Sequence, residues 1–572
     1  MVPAIRIARV LPNVTGLDRE FDYLVPHAMG PLAIGDLVRV VLHGRRVEGW
    51  IVDLPESSAL ATSKLLPIES RLGCGPSREI VELARWAAHR WVGRLRPLLV
   101  AASPARRTPR LPAPRRGAQR ALVEEWSDIL ASASPVLVQR SPQDNAVTLV
   151  AALAAIGPTL VVAPTVARAR ELAAHMRRLR MTTAVLPDEW ASAVGGVDVV
   201  IGARSAVWTP IEGLAGIAVI DEHDDALQEE RSPTWHAREV AVERARRLAI
   251  PCVLFSPVPS VAAFAHARSQ SWGDRTAWPA IEVVDRTQDE RWSRSLVSSR
   301  LVEIVRDTSL RVIVVHNAKG RSQLLACAQC RQLVTCEDCE GSMVLDDDGS
   351  LSCRRCRHRR PAVCVHCGSS SLANLRPGVG KLVDDLVKAS GRIAADVCAV
   401  TGTSSTVDQR CTLFIGTEAA LHRVEQPDVV VFIDIDQELR APRYRASEIT
   451  ASLVVTAARR VGAGRVVLQT HSPNHPLLRA LLDGGIESYV QAEAKTRQMF
   501  GMPPYGALAL IKGSGAQHVG AILRGNMLIQ VSTTEEECLV KASSPEVLFE
   551  ALHGMSVPKG TRVSVQVDPQ RV

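Results

Sequence analysis

Eight of the chain's 13 cysteines fall within 41 residues as four Cys-x2-Cys pairs: Cys327/Cys330, Cys336/Cys339, Cys353/Cys356 and Cys364/Cys367. Such a turn places two thiolates on one side of a knuckle, at the separation a tetrahedral Zn²⁺ needs. Four knuckles therefore supply two Cys₄ sites. A disulfide framework is the alternative, and a reducing cytosol disfavours it. Each Zn(Cys)₄ centre would carry a charge of about −2 by counting thiolates. Arg331, Arg354, Arg355, Arg357, Arg359 and Arg360 lie near enough in sequence to offset that charge or to face a polyanion. His358 and His366 stay outside the ligand sets, because eight cysteines already saturate two sites. The other five cysteines, Cys74, Cys252, Cys398, Cys411 and Cys538, are scattered and have the character of ordinary small residues.

The module is a small part of 572 residues, a length that predicts three to five domains at roughly 150 residues each. A net charge of +8 favours a polyanionic partner, nucleic acid foremost. The opening MVPAIRIARV lacks the charged start, apolar core and cleavage site of a secretory signal. The uncharged stretch 146–167 is interrupted by Gly157-Pro158 and Pro164, and its second half, TLVVAP, has the pattern of a buried strand. A soluble, cytoplasmic protein with no membrane partner is expected.

Residues 1–100 alternate apolar and polar runs (VRVVL, EGWIVDL), which predicts a small β-rich domain followed by a helix over about 77–90. Residues 101–130 contain SPARRTPRLPAPRRG (103–117), a linker that proline keeps extended and arginine keeps solvated. It is either a plain tether or a basic arm for phosphate. Over 131–268, short apolar strands (VLVQ, TLVVAP, VDVVIG, GIAVIDE, PCVLFS) alternate with helices, the pattern of a parallel sheet covered on both faces. A second series (RVIVV, TLFIG, VVVFIDID, RVVLQT) occupies 269–325 and 369–480, split by the cysteine segment 326–368. Residues 481–572 form a mixed α+β tail. The expected fold class is multidomain α/β: two lobes in tandem, the second carrying the two-zinc insertion.

Four cysteine pairs inserted in the second of two α/β lobes resemble the PriA family of bacterial primosomal replication-restart helicases. The resemblance extends along most of the chain, in order. FDYLVP (21–26) is similar to the family's signature for binding a DNA 3′ end. It implies that Asp22, between Phe21 and Tyr23, meets the terminal nucleotide, with Lys64 of KLLPI in the same pocket. A turn carboxylate is the plainer account of Asp22. VIGARSAVWTP (200–210), VIDEHDD (219–225), WHARE (235–239) and SPVPS (256–260) resemble first-lobe helicase motifs. IGTEAA (415–420), PDVVVFIDID (427–436) and VVLQTHSPNHP (466–476) resemble second-lobe motifs, and MPPYG (502–506) with VDPQ (567–570) the C-terminal domain. The resemblance implies two RecA-like lobes and an N-terminal DNA-binding domain. It pairs Cys327, Cys330, Cys364 and Cys367 on one zinc and Cys336, Cys339, Cys353 and Cys356 on the other, where spacing alone also permits cross-bracing. Trp235 is either a base-stacking platform or a core residue. The family's winged-helix domain has only about forty residues of linker in its place.

The motor motifs depart from the family. A P-loop needs glycines to cradle phosphates, a lysine on the β/γ-phosphates and a hydroxyl on Mg²⁺. The aligned segment, VLVQRSPQDNAV (136–147), has Pro142, Asp144, Asn145 and Ala146 instead, and no lysine occurs between Lys64 and Lys319. Asp221 and Glu222 survive from the acidic box, either as Mg²⁺ and water ligands or as an inherited strand end. Arg460 survives from TAARRVGA (456–463), but the position of the terminal arginine is Ala463. Losing a phosphate lysine or an arginine finger costs orders of magnitude in rate. The resemblance implies ATP and Mg²⁺; these substitutions oppose both. The expectation is a replication-restart protein that binds forked DNA and helps to re-load the replicative helicase without unwinding. Primosome proteins, the helicase or its loader and single-stranded DNA-binding protein are the partners the family implies. Rival expectations are an active ATP-dependent 3′-to-5′ helicase and a zinc-bearing interaction protein with no role at forks.

Overall fold

The computed structural model describes residues 6–117, 124–273, 278–288, 296–317, 325–330, 332–338, 341–346, 348–353, 356, 358–374, 379–400, 406–534, 536–553, 555 and 561–570. Cys339, Arg331, Arg354, Arg355 and Arg357 lie outside them. The chain divides into two compact units. One comprises Met1–Val138, Asn145–Ser271 and Ala494–Pro569; the other comprises Gln139–Asp144, Trp272–Glu493 and Gln570–Val572.

In the first unit, strands β1 (Ile7–Pro12), β2 (Phe21–Leu24), β3 (Leu37–Leu42), β4 (Arg45–Asp53) and β5 (Ser70–Gly73) form an antiparallel sheet in the order β2-β1-β4-β3-β5. Its core holds Ala8, Val10, Tyr23, Val38, Val40 and Ile51. The expected helix runs Arg78–Arg90, and Ser77 caps it by accepting from the Ile80 N–H. The next sheet has seven strands: β6 (Pro135–Gln139), β7 (Thr159–Val162), β8 (Thr183–Val185), β9 (Val199–Gly202), β10 (Gly216–Ile220), β11 (Cys252–Ser256) and β12 (Ser269–Ser271). Their order is β12-β6-β11-β10-β7-β9-β8. β7, β9, β10 and β11 are fully buried and pair in parallel, which is why they are continuous apolar runs. The uncharged stretch 146–167 contains helix Val147–Ile156 and β7, both packed in this core.

The linker is not a free tether. The Cys74 N–H bonds the Thr108 carbonyl at 2.8 Å, and Arg115 N–H the Gly196 carbonyl at 2.8 Å. The Gly117 N–H bonds Asp198 at 2.9 Å. Between helix Leu95–Ala102 and β6, the described residues hold only short turns at Glu124–Trp126 and Ser127–Leu130 and no winged helix.

In the second unit, strands β13 (Ala280–Asp285), β14 (Val312–Val315), β20 (Val397–Val400), β21 (Leu413–Gly416), β22 (Val429–Phe432) and β23 (Arg465–Thr470) make a parallel sheet in the order β13-β23-β22-β14-β21-β20. Between β14 and β20 the cysteine insertion forms a two-stranded sheet, β15 (Leu325–Cys327) with β19 (Leu372–Asn374), and a three-stranded one, β16 (Met343–Leu345), β17 (Ser350–Cys353) and β18 (Arg359–Pro361). Cys398 and Cys411 form a disulfide here, with Cα atoms 6.1 Å apart. This corrects the expectation that both are ordinary small residues. Parallel pairing of β20 with β21 draws together two positions that the sequence separates by 13.

The C-terminal strands β24 (Ala507–Lys512), β25 (Ile529–Thr533), β26 (Glu537–Ala542) and β27 (Ser564–Val567) form an antiparallel sheet within the first unit. Asp568 is bonded to Arg90 at 2.9 Å, and Thr234 exchanges two 3.0 Å bonds with Val567. Among the described residues no helix is long and apolar enough to cross a membrane.

Candidate nucleic-acid interface and metal centres

Asp22 lies on β2 opposite Arg9 of β1. The Arg9 Nε donates to Asp22 Oδ1 at 2.9 Å, and the Ser58 hydroxyl donates to Oδ2 at 2.7 Å. Burial pushes the carboxyl up, but the bonds from Arg9 and Ser58 outweigh it and hold its pKa below the ordinary value. The chain after Ser58 is tied alongside β2, the Leu24 N–H bonding the Leu66 carbonyl at 2.9 Å. Lys64 is exposed in the turn Thr62–Lys64, and Leu60 and Leu66 beside it are 55% and 50% exposed. Leu60 sits close to the Asp22 carboxylate, its N–H bonding the Ser58 hydroxyl at 3.2 Å. Phe21 is half-buried, with the Arg19 guanidinium 5.5 Å from its ring centroid. Tyr23 faces the core, its hydroxyl donating to the Val41 carbonyl at 3.1 Å. Arg9 and Ser58 went unremarked in the sequence. Arg9 was detectable as the one charge within the apolar run IARVLP, whereas nothing marked Ser58.

Trp235 is 3% exposed and meets Trp208 edge-on, with centroids 5.3 Å apart. A base could stack on it only if this core opened. Of the two accounts open from sequence, the core placement is the one the structure has.

The acidic box ends β10. Glu222 is fully buried: its Oε2 accepts from Arg238 Nη1 at 3.0 Å and from the Ser260 hydroxyl at 2.7 Å, and its Oε1 accepts from the Ser260 N–H at 2.7 Å. Burial pushes its carboxyl up, against the pull of Arg238 and Ser260. Asp221 is also buried, at positive φ, with the Arg168 Nε 4.0 Å away. A carboxylate committed in this way is poorly placed to polarise water. His223, next in the chain, is held by the Ser256 hydroxyl at 2.7 Å.

Residues 139–144, the stand-in for the P-loop, group with the second unit. The Pro142 carbonyl accepts from Arg459 Nε at 2.9 Å, and Gln143 Nε2 donates to the Ala458 carbonyl at 2.8 Å. Arg460 is turned onto the Val424 carbonyl. The loop is thus held against helix Ala446–Val461 through the Pro142 carbonyl and the Gln143 side chain.

Cys327, Cys330, Cys364 and Cys367 gather their sulfurs in one cluster, and Cys336, Cys353 and Cys356 in another. Sulfur pairs stand 3.5 Å (Cys327–Cys367), 3.4 Å (Cys330–Cys364) and 3.3 Å (Cys336–Cys356) apart. Tetrahedral Zn–S bonds of ~2.3 Å give S···S edges of ~3.8 Å, so the clusters fit a thiolate-bound metal with little adjustment. The Gln329 and Cys330 N–H groups point at the Cys327 sulfur, at 3.4 and 3.5 Å. His358 is paired with Asp338 at 2.8 Å, Arg359 with Asp348 at 2.7 Å, and Arg360 reaches Glu337 at 3.9 Å.

Residues 9–104 match the model of the PriA 3′ DNA-binding domain. The chain is 27% identical over 356 residues to replication restart protein PriA of Bacillus subtilis (57% of this chain, 44% of that one). It is 28% identical to the PriA of Haemophilus influenzae (58% and 49%). It is 23% identical over 574 residues to that of Rickettsia conorii, covering 89% of this chain and 87% of that one. The chain is similar to replication restart protein PriA. It spans less than half the length of the first two proteins and most of the third. Among solved structures, S. cerevisiae Dbp5 bound to RNA and ADP BeF3 aligns with a TM-score of 0.34 at 11% identity over 62% of this chain and 83% of that one, too distant to assign the fold.

Proposed function

We propose that the chain is a replication-restart protein that binds arrested or forked DNA and promotes re-loading of the replicative helicase, without unwinding DNA itself. The observation that carries the reading is Asp22, which lies within the matched 3′ DNA-binding domain and whose carboxylate is held ionised by Arg9 and Ser58. The two parallel sheets correspond to RecA-like lobes that have kept their scaffold and lost their catalysis. Against an active helicase stand Glu222, committed to Arg238 and Ser260, and the stand-in loop, bonded through Pro142 and Gln143 to helix Ala446–Val461.

The cysteine clusters hold two Zn²⁺, one on Cys327, Cys330, Cys364 and Cys367, the other on Cys336, Cys353, Cys356 and Cys339. Zinc there ties knuckles that share only a small apolar core of Leu325, Val334, Met343 and Leu351. Partners at the fork are primosome proteins, the replicative helicase or its loader and single-stranded DNA-binding protein, met in the cytoplasm. The test is binding of purified protein to forks with a free or a blocked 3′ end at the junction, with phosphate release measured alongside. Preference for the free end without DNA-stimulated hydrolysis supports the reading. No fork binding, or robust turnover, rejects it.

A further inference from the structure

The sequence left two roles open for the linker 103–117, and the structure pins it at both ends. Thr108 is bonded to Cys74, and Arg71, itself held by Asp36 at 2.6 Å, donates to the Pro109 carbonyl at 3.2 Å. Arg107 pairs with Glu48. Further along, Pro112 lies on Gly195, where a Cβ would come within 2.8 Å of the proline ring. Arg116 donates to the Glu212 carbonyl at 2.9 Å. Arg107 and Arg116 thus fasten the strap. Arg106, Arg110 and Arg115 are exposed and carry no ion pair among the described residues.

The strap begins on the sheet face that carries Asp22. Opposed residues of an antiparallel ladder share a face, as do positions i and i+2. Asp22 opposes Arg9, Leu11 follows two residues on, Leu11 opposes Trp50, and Glu48 lies two residues before it. Asp22 and the Glu48 anchor of Arg107 therefore lie on the same side of the sheet, with Leu11 and Trp50 between them covered, each 1% exposed. Two strand spacings across and four residues along separate them by roughly 16 Å, about five base pairs of duplex rise. The strap bends at Arg106 and at Arg110, so the full reach of about 3.1 Å per residue puts at most about 12 and 16 Å between successive arginines, still enough for each to meet a different phosphate.

We propose that Arg106, Arg110 and Arg115 form a phosphate rail gripping the sugar–phosphate backbone of the nucleic acid whose 3′ end enters the Asp22 pocket. The inference rests on the fork-binding reading. Because the backbone is already fastened, contact with phosphate does not first have to order a loose arm.

The test is the salt dependence of fork affinity, by fluorescence anisotropy on the full chain. Three variants are compared with the native protein: R106A/R110A/R115A, the same three sites changed to lysine, and R178A/R180A/R268A elsewhere on the first unit. Each phosphate contact contributes about 0.9 to the slope of log K against log[salt], so the strap alanine variant should lose roughly 2 to 3 units of slope and about tenfold or more in affinity. The lysine variant should restore both, and the distant variant should match the native protein. A strap variant with native slope, or a distant variant with an equal loss, overturns the rail. Native protein that binds no fork overturns the fork-binding reading itself.

Discussion

Arg238 Nη1 stands 3.0 Å from Glu222 Oε2, with the two side chains 5% and 0% exposed. Ser260 completes the cage around the carboxylate. In a working motor this glutamate must be free to act on water. Here it serves as the counter-ion of a buried arginine.

That role makes Glu222 a stability residue. Glu222→Ala removes one of the two carboxylates paired with Arg238, Glu239 remaining at 3.1 Å, and takes the acceptor from the buried Ser260 hydroxyl and N–H, which should cost roughly 1–3 kcal/mol. Urea denaturation read at the first unit should show the loss, whereas phosphate release should stay at the native background. A variant within about 0.5 kcal/mol of the native protein, the range of neutral surface changes, would contradict the assignment.

DNA should not stimulate ATP hydrolysis. Asn145 cannot neutralise phosphate charge, Pro142 offers no N–H, Ala146 no hydroxyl and Ala463 no cation. The losses fall on one developing charge, so they compound. Steady-state phosphate release with saturating forked DNA is the measurement. Turnover near 1 s⁻¹ or above, at the low end of ordinary enzyme rates, would refute a silent motor.

Metal content follows from the two clusters. Elemental analysis should return about two zinc ions per chain, and Cys336→Ser should lower this to about one, since the Cys327 cluster shares no ligand with it. Loss of both ions in that variant would mean that the clusters fold as one unit, and native protein holding about one ion or fewer would contradict the paired sites.

Local patterns made much of this legible from sequence. TLVVAP and GIAVI announce buried parallel strands because both faces are covered, and Ser77 announces a helix because its hydroxyl satisfies a first-turn N–H. Four Cys-x2-Cys pairs announce metal because each turn is a self-contained geometry. The three-residue strands Thr183–Val185 and Ser269–Ser271 gave no such signal, being too short to show a pattern and stabilised by their neighbours' ladders. Contacts between distant positions were equally silent: Glu222 with Arg238, Asp22 with Ser58, and the disulfide of Cys398 with Cys411. Trp235 could be core or platform until its neighbour Trp208 was placed. Proline and arginine made the linker extended and solvated without revealing that Thr108 and Gly117 fasten it.

Asp22 provides the sharpest test of recognition. If its carboxylate accepts a hydrogen bond from a 3′ hydroxyl, Asp22→Ala should weaken binding to forks with a free 3′ end by about tenfold or more, the worth of a hydrogen bond to a charged group. Binding to blocked forks and plain duplex should change little, since phosphate contacts supply that affinity. The pH dependence has a definite sign. The folded pKa of Asp22 is depressed by Arg9 and Ser58, so the ionised form is present throughout the range above the ordinary carboxylate value. It is lost only as pH falls through the depressed value. Preference for the free end should therefore be flat between about pH 5 and 8, far above the ordinary carboxylate pKa near 4. Two outcomes would return Asp22 to a structural role as the partner of Arg9: equal losses on every substrate, or a preference that fades as pH falls from 7 to 5.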